Sequence, residues 1–295
     1  MHRSGFVALI GRPNVGKSTL LNALVGEKVA IISDRPQTTR NQIRAVLTRP
    51  EFQVIFIDTP GLHKPKHMLG STMIQTARMT MQEVDLVCFL VEANKAPGYG
   101  DRYIADILGT LKTPLFLILN KIDLITPQEL AFNSELYNRL YPFKAHFALS
   151  ALKKIDLEPL VNTLLNYLPE GPQYYPPDMI TDQPERFIAA EIIREKIIIL
   201  TRQEIPFSVA VMIEEMKKRN ESELLDIRAE IYVERKSQVG IVVGKSGSML
   251  KEVGTMARKE LEALFGQHIF LDLRVKVKSE WRNREEELRR LGYRN

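Results

Sequence analysis

The chain has 295 residues, 44% of them apolar and 26% charged, which suits a globular protein of about two domains able to bury real cores. Its single cysteine, Cys88, excludes an intrachain disulfide, and no apolar run approaches the ~18 residues of a membrane span. The net charge of +5 is unevenly placed: residues 1–185 hold 19 basic against 18 acidic side chains, whereas residues 186–295 hold 22 against 18.

The apolar run Phe6-Val7-Ala8-Leu9-Ile10 predicts the first strand. It leads into Gly11-Arg12-Pro13-Asn14-Val15-Gly16-Lys17-Ser18, then Thr19 and a helix whose Leu20, Leu21, Leu24 and Val25 share one face. Strand, glycine loop and helix form the context a G-x-x-x-x-G-K-[ST] phosphate-binding loop requires. Its glycines let successive N–H groups point into one concavity, and the helix N-terminus adds positive potential. Lys17 is expected to reach the outer phosphates, and the Ser18 hydroxyl to ligate Mg²⁺.

Residues 33–41 lack any period and read as a loop; it carries Thr38 and Thr39, hydroxyls of the kind a metal on a triphosphate can accept. Strands follow at 43–47 and 52–57, the second ending in Asp58-Thr59-Pro60-Gly61. An apolar strand ending in a carboxylate, 41 residues after Lys17, suits an aspartate beside the metal, and Gly61 lets a backbone N–H approach a γ-phosphate. His63 and His67 have zinc-like spacing, but Pro65 between them forbids a regular helix, so no metal is expected there.

Helix-like sequence runs to residue 82, a buried strand over 84–91 holds Cys88 as a core thiol, and a helix is expected over 101–111. The apolar run 114–119 ends in Asn120-Lys121-Ile122-Asp123. Asp123 can accept hydrogen bonds from the N1–H and N2 amino group of guanine, and adenine would leave that carboxylate unpaired. Asn120 braces the loop, and the stem of Lys121 can lie on the base. A strand over 145–149 ends in Ser150-Ala151-Leu152, followed by an amphipathic helix over 157–168. Alternating strands and helices predict a mostly parallel sheet with ligand loops at the strand C-termini, an α/β arrangement that resembles the Ras-like small-GTPase fold.

Five prolines in residues 169–184 resist both helix and sheet and predict a linker or arm. Beyond it, a helical stripe covers 186–200, and alternation at 207–213, 227–233 and 269–277 predicts three half-buried strands. Before the last strand lie Gly244-Lys245-Ser246-Gly247, Ser248, Lys251 and a helix near 255–264, giving an α+β domain. Arg235, Lys236, Lys245, Lys251, Arg258 and Lys259 face one acidic residue, Glu252, within residues 235–259. A glycine loop in the most basic part of the chain suits the KH manner of clamping single-stranded nucleic acid. The boundaries expected are a nucleotide domain at 1–168, a linker at 169–185, a KH domain at 186–278 and a terminal helix within 279–295.

Together, residues 11–19, 36–40 and 58–62, Asn120–Asp123, Ser150-Ala151-Leu152, the loop at 244–247, and Trp281-Arg282 with Leu291-Gly292-Tyr293 resemble the Era family: a TrmE-Era-EngA-type GTPase domain plus a C-terminal type II KH domain. The resemblance implies GTP hydrolysis to GDP with Mg²⁺. It implies binding near the 3′ end of 16S rRNA and a role in maturing the cytoplasmic 30S subunit, with no obligate protein partner evident. Thr39, by match to the family pattern, is the expected Mg²⁺ ligand beside Ser18 and Asp58. Leu62 stands where many small GTPases carry a water-orienting glutamine. Catalysis is therefore expected to lean on Lys17, Thr39, Gly61 and Asn14, the last holding K⁺ against the phosphates as in potassium-stimulated relatives. Two rivals stay open: an RNA-binding assembly factor with little turnover, and a regulatory GTPase associated peripherally with the inner face of the membrane.

Overall fold

The computed structural model describes residues 2–35, 37–219 and 224–294, so Pro36 of the 36–40 motif lies outside the described residues. The chain divides into two compact units. The first comprises the N-terminal stretch up to Ile32, Thr39–Lys66 and Gly70–Asp182; the second comprises Ser33–Thr38, His67–Leu69 and the chain from Gln183 on.

The first unit is a six-stranded sheet: β1 (Arg3–Gly11), β2 (Ile43–Arg49), β3 (Phe52–Asp58), β4 (Leu86–Glu92), β5 (Leu115–Asn120) and β6 (Ala145–Leu149). Their order is β2-β3-β1-β4-β5-β6, with β2 antiparallel to β3 and every other pair parallel. β3, β4 and β5 are buried at every position, as their near-continuous apolar sequence requires. The helices are α1 (Lys17–Val25), α2 (Met68–Gln82), α3 (Tyr99–Leu108), α4 (Pro127–Asn138) and α5 (Leu157–Leu164). Thr126 starts α4: its hydroxyl accepts from the Glu129 N–H while Glu129 accepts from the Thr126 N–H, a reciprocal cap backed by Pro127 at the first helical position. One core cluster joins Ala8, Ile10, Val87, Phe89, Leu117 and Tyr137. Cys88 is fully buried in β4, and burial pushes its thiol far above the ordinary range, so it is inert.

The proline-rich segment is laid along the first unit rather than left loose. The Val46 N–H donates to Ile180 O, the Thr181 hydroxyl to Arg44 O, and Arg44 Nη1 pairs with Asp182 at 3.0 Å. The buried amide of Gln53 donates to Tyr175 O and accepts from the Tyr174 and Tyr175 N–H groups. Prolines supply no N–H, but the residues between them serve the strands: Tyr174 and Tyr175 with N–H groups toward β3, and Ile180 and Thr181 with a carbonyl and a hydroxyl toward β2.

The second unit runs α6 (Glu185–Leu200), α7 (Ile205–Ser208), β7 (Ala210–Lys218), β8 (Leu225–Val233), α8 (Lys236–Val243), α9 (Ser248–Phe265), β9 (Ile269–Val277) and α10 (Glu285–Arg290). β7 pairs antiparallel with β8, and β8 parallel with β9. Its separate core gathers Ile193 and Ile197 of α6, Ile227 and Ile231 of β8, and Val253, Ala257 and Leu261 of α9. The strand expected from Phe207 instead starts at Ala210, because Glu204-Ile205-Pro206 opens a short helical turn with proline at its favoured first positions. Trp281 is fully buried, and its Nε1 donates to Ser208 O at 2.8 Å.

Candidate nucleotide and nucleic-acid sites

The phosphate loop leaves β1 and ends where α1 begins, so its N–H groups surround a helix N-terminus. Gly16 has φ 101°, and a Cβ there would stand 2.2 Å from Asn120 Nδ2. Asn14 is also left-handed, with φ 66°. The loop's carbonyls are engaged by side chains: Gly11 O and Arg12 O accept from the loop's own Lys17 Nζ at 3.2 and 2.9 Å, and from outside Asn14 O accepts from Lys121 Nζ at 2.8 Å and Val15 O from Asn120 Nδ2 at 2.8 Å. Carbonyls engaged on one side leave the N–H groups for the other, which makes an anion cradle.

Lys17 is buried, and desolvation lowers its pKa from 10.5 to about 8 although the charge of Asp58 works the other way. Asp58 ends β3; burial raises its pKa, against the opposing effects of Lys17 and of hydrogen bonds from Ser18 and Thr39. Its Oδ2 accepts from Ser18 Oγ at 2.5 Å and Thr39 Oγ1 at 3.2 Å, and the two hydroxyls lie 2.9 Å apart. Its Oδ1 is buried with no hydrogen-bond partner among the described residues. Two hydroxyls, one orphaned carboxylate oxygen and a phosphate cradle form a hard-oxygen set that fits Mg²⁺. Gly61 closes the other side: a Cβ there would stand 2.6 Å from Pro13 N. Leu62 donates its N–H to Gly11 O at 3.1 Å and turns its side chain into the core with Ile10 and Ile57.

The base motifs meet at the ends of β5 and β6. Asn120 Oδ1 accepts from the Ala151 N–H at 3.0 Å, so one amide ties the phosphate loop to the loop after β6. Asp123 Oδ1 accepts from Ser150 Oγ at 2.5 Å, and Ser150 is buried. Leu152 is 72% exposed. Val15 and Ala151 are buried, and Thr19 is half-buried in the first turn of α1.

In the second unit, Gly244 caps α8 with φ 76°, and a Cβ there would meet Met249 Cβ at 2.6 Å. Ser246 (φ 52°) and Gly247 (φ 80°) are left-handed, so the loop turns sharply before Ser248 opens α9. Lys245, Ser246, Ser248, Lys251 and Arg258 are exposed. Beside the loop lies a groove of about 460 Å³ lined by Gly247, Leu250, Lys251, Arg258, Leu271 and Leu273. Arg235 and Lys236 are exposed at the opposite end of α8 and do not line it. Sequence reasoning missed its apolar wall, Leu250 on α9 and Leu271 and Leu273 on β9, and Phe270 at its rim, because alternation in β9 marks those leucines only as core.

Residues 6–121 match the family model described as "50S ribosome-binding GTPase", and residues 204–282 match "KH domain". The whole chain is similar to Era in complex with MgGDPNP and nucleotides 1506–1542 of 16S ribosomal RNA: 42% identity, all of both chains covered, TM-score 0.97. It is likewise similar to a variant of Aquifex aeolicus Era bound to GDP·AlF4⁻: 41% identity over 99% of this chain and 100% of that one, TM-score 0.96.

Proposed function

The chain belongs to the Era family of GTPases, and on that premise we propose how it uses GTP and which RNA it binds. GTP seats in the cradle of Gly11, Asn14, Val15, Gly16, Lys17, Ser18 and Thr19. Asp123 accepts the guanine N1–H and N2 amino group, and Asn120, Lys121, Ser150, Ala151 and Leu152 shape that pocket. Ser18 and Thr39 hold Mg²⁺ directly and Asp58 through water; the ion offsets charge on the β- and γ-phosphate oxygens. The Gly61 N–H and Lys17 stabilise the γ-phosphoryl group as it leaves. Leu62 offers no polar atom to the attacking water. Charge stabilisation at the loop therefore takes the larger share; Asn14 would hold a potassium ion there, which would add positive charge against the phosphates.

The RNA arm of the proposal is that Gly244, Lys245, Ser246, Gly247 and Ser248 clamp single-stranded RNA near the 3′ end of 16S rRNA. Lys251 and Arg258, with Arg235 and Lys236 farther out, meet its phosphates. The activity serves maturation of the 30S subunit in the cytoplasm. Residues 1–168 are read as the GTPase domain, 169–185 as the linking arm and 186–278 as the KH domain. The single observation that carries the proposal is full-length similarity to an Era–RNA complex by a chain that keeps both the Ser18–Thr39–Asp58 oxygen cluster and the Gly244 loop.

Phosphate release from GTP, with and without an RNA of the 16S 3′ end, tests both arms. Release accelerated by that RNA is expected. Binding of GTP with no release under either condition would make the protein an assembly factor without turnover. Flotation with anionic vesicles that RNA fails to compete would favour the membrane-associated reading. Hydrolysis in potassium should exceed that in sodium, and Asn14→Ala should erase the difference.

A further inference from the structure

β4 ends on Glu92, and the parallel register sets it opposite Asn120 at the end of β5. Two strand ends therefore bring a carboxylate beside the base motif without belonging to it. Glu92 Oε1 accepts from Lys121 Nζ at 2.6 Å, and the same ammonium donates to Asn14 O. Glu92 Oε2 accepts from Lys95 Nζ at 2.7 Å and lies 3.8 Å from Arg12 Nη2. Arg12 has a second anchor: its Nε donates at 2.8 Å to Asp101 Oδ1, while Asp101 Oδ2 accepts from the Gly98 N–H at the start of α3. Gly100 leaves room for that arm, since a Cβ there would stand 2.8 Å from Arg12 Cδ.

The two residues that flank Pro13 in the phosphate loop thus converge on one side chain. Asn14 reaches Glu92 by its carbonyl through Lys121, and Arg12 reaches it by its guanidinium. Burial works against ionisation of Glu92, but hydrogen bonds from Lys121 and Lys95 outweigh it and hold the carboxyl below its usual range. An ionised carboxylate bonded by two ammoniums, with a guanidinium 3.8 Å away, is a fixed anchor, because the three cations come from different chain segments.

We infer that Glu92 is a positioning residue for guanine nucleotide binding: it orients Lys121 for the base and, through Lys121 and Arg12, fixes the Arg12–Asn14 limb of the phosphate loop. The inference deepens the guanine-nucleotide reading above and rests on it. Base and phosphate recognition then share one support outside both motifs.

A double-mutant cycle on the full chain tests this, with GDP affinity measured by calorimetry and the unfolding midpoint measured in parallel. Glu92→Gln keeps the size and loses the charge, and should weaken GDP by about tenfold, the scale of one charge-assisted bond to a buried carboxylate. Lys121→Met removes the path through which most of that effect travels. The double variant should bind GDP within about twofold of Lys121→Met alone, because losses along one path do not add. Lys95→Ala, which removes an exposed partner of the same carboxylate, should bind like the parent. Multiplying losses in the double variant would make Glu92 a stabilising ion-pair partner only and overturn the inference. So would Glu92→Gln binding GDP like the parent. Failure of the parent itself to bind GDP would overturn the underlying reading instead.

Discussion

At the residue scale, Lys17 carries a definite pH signature. Its pKa is lowered to about 8 by burial, so below that pH the free protein already holds the charge that phosphates need. Above it, binding must take up a proton, and GDP affinity should fall by up to about tenfold per pH unit. Calorimetry in two buffers of different ionisation enthalpy reads the uptake directly. The sign for the empty protein is the reverse of a stabilising pair: the cost of burying the ammonium is present below about 8 and is relieved as pH rises towards 10.5, where the unfolded chain also deprotonates. Gly61 makes a second residue-level case. A Cβ would meet the Pro13 backbone N at 2.6 Å, so Gly61→Ala must push its N–H away from the loop. Hydrolysis should drop by about 10²-fold, the scale of losing one transition-state donor, while GDP affinity changes little. These residues were legible in the sequence because each lies within a short motif whose spacing states its chemistry. Glu92, Arg12 and Asp101 were not: Arg12 and Asp101 are 89 positions apart, and only the strand register and the start of α3 bring the three together.

At the element scale, strands reported themselves where one pattern ruled them. β3, β4 and β5 are nearly continuous in apolar residues, broken by Gln53 and by the polar residue that ends each strand, and are buried throughout. α7 did not, since alternation at Phe207, Val209 and Val211 imitates a strand while Pro206 favours the helical turn that forms. The groove between α9 and β9 shows a related limit. Leu271 and Leu273 both pack on the core and line the groove, and periodicity cannot separate the two roles. The element proposed above to meet RNA is the loop between α8 and α9 with the first turns of α9, where Lys245 and Lys251 would act as point charges. The double variant Lys245→Ala, Lys251→Ala should weaken RNA uniformly across sequences and lower the salt slope by about two. Its hydrolysis without RNA should stay at the parental rate. A filter-binding salt series with a phosphate-release assay checks both.

At the scale of the molecule, the chain forms two compact units, each with its own buried apolar residues, and two cooperative transitions rather than one are expected. GDP at about 100 times its dissociation constant should stabilise the first unit by about 2.7 kcal/mol and leave the second at its own midpoint. Differential scanning calorimetry with and without GDP distinguishes this from a single shared transition. The proline-rich segment was legible as a break in regular structure, but not as the partner of β2 and Gln53, because hydrogen bonds to residues 174–181 leave no periodic trace. That partnership bears on solubility. β2 is the outermost strand on its side of the sheet, and an open strand edge is a template on which a second chain can pair and aggregate. Ile180, Thr181 and Asp182 occupy bonds and charge along that edge, and Pro176, Pro177 and Pro184 on either side of them have no N–H to offer a further strand. Replacing Thr181 and Asp182 by alanine should leave GDP affinity intact yet bring on light scattering at lower temperature. The segment that joins the two units then serves also to keep copies of the protein apart.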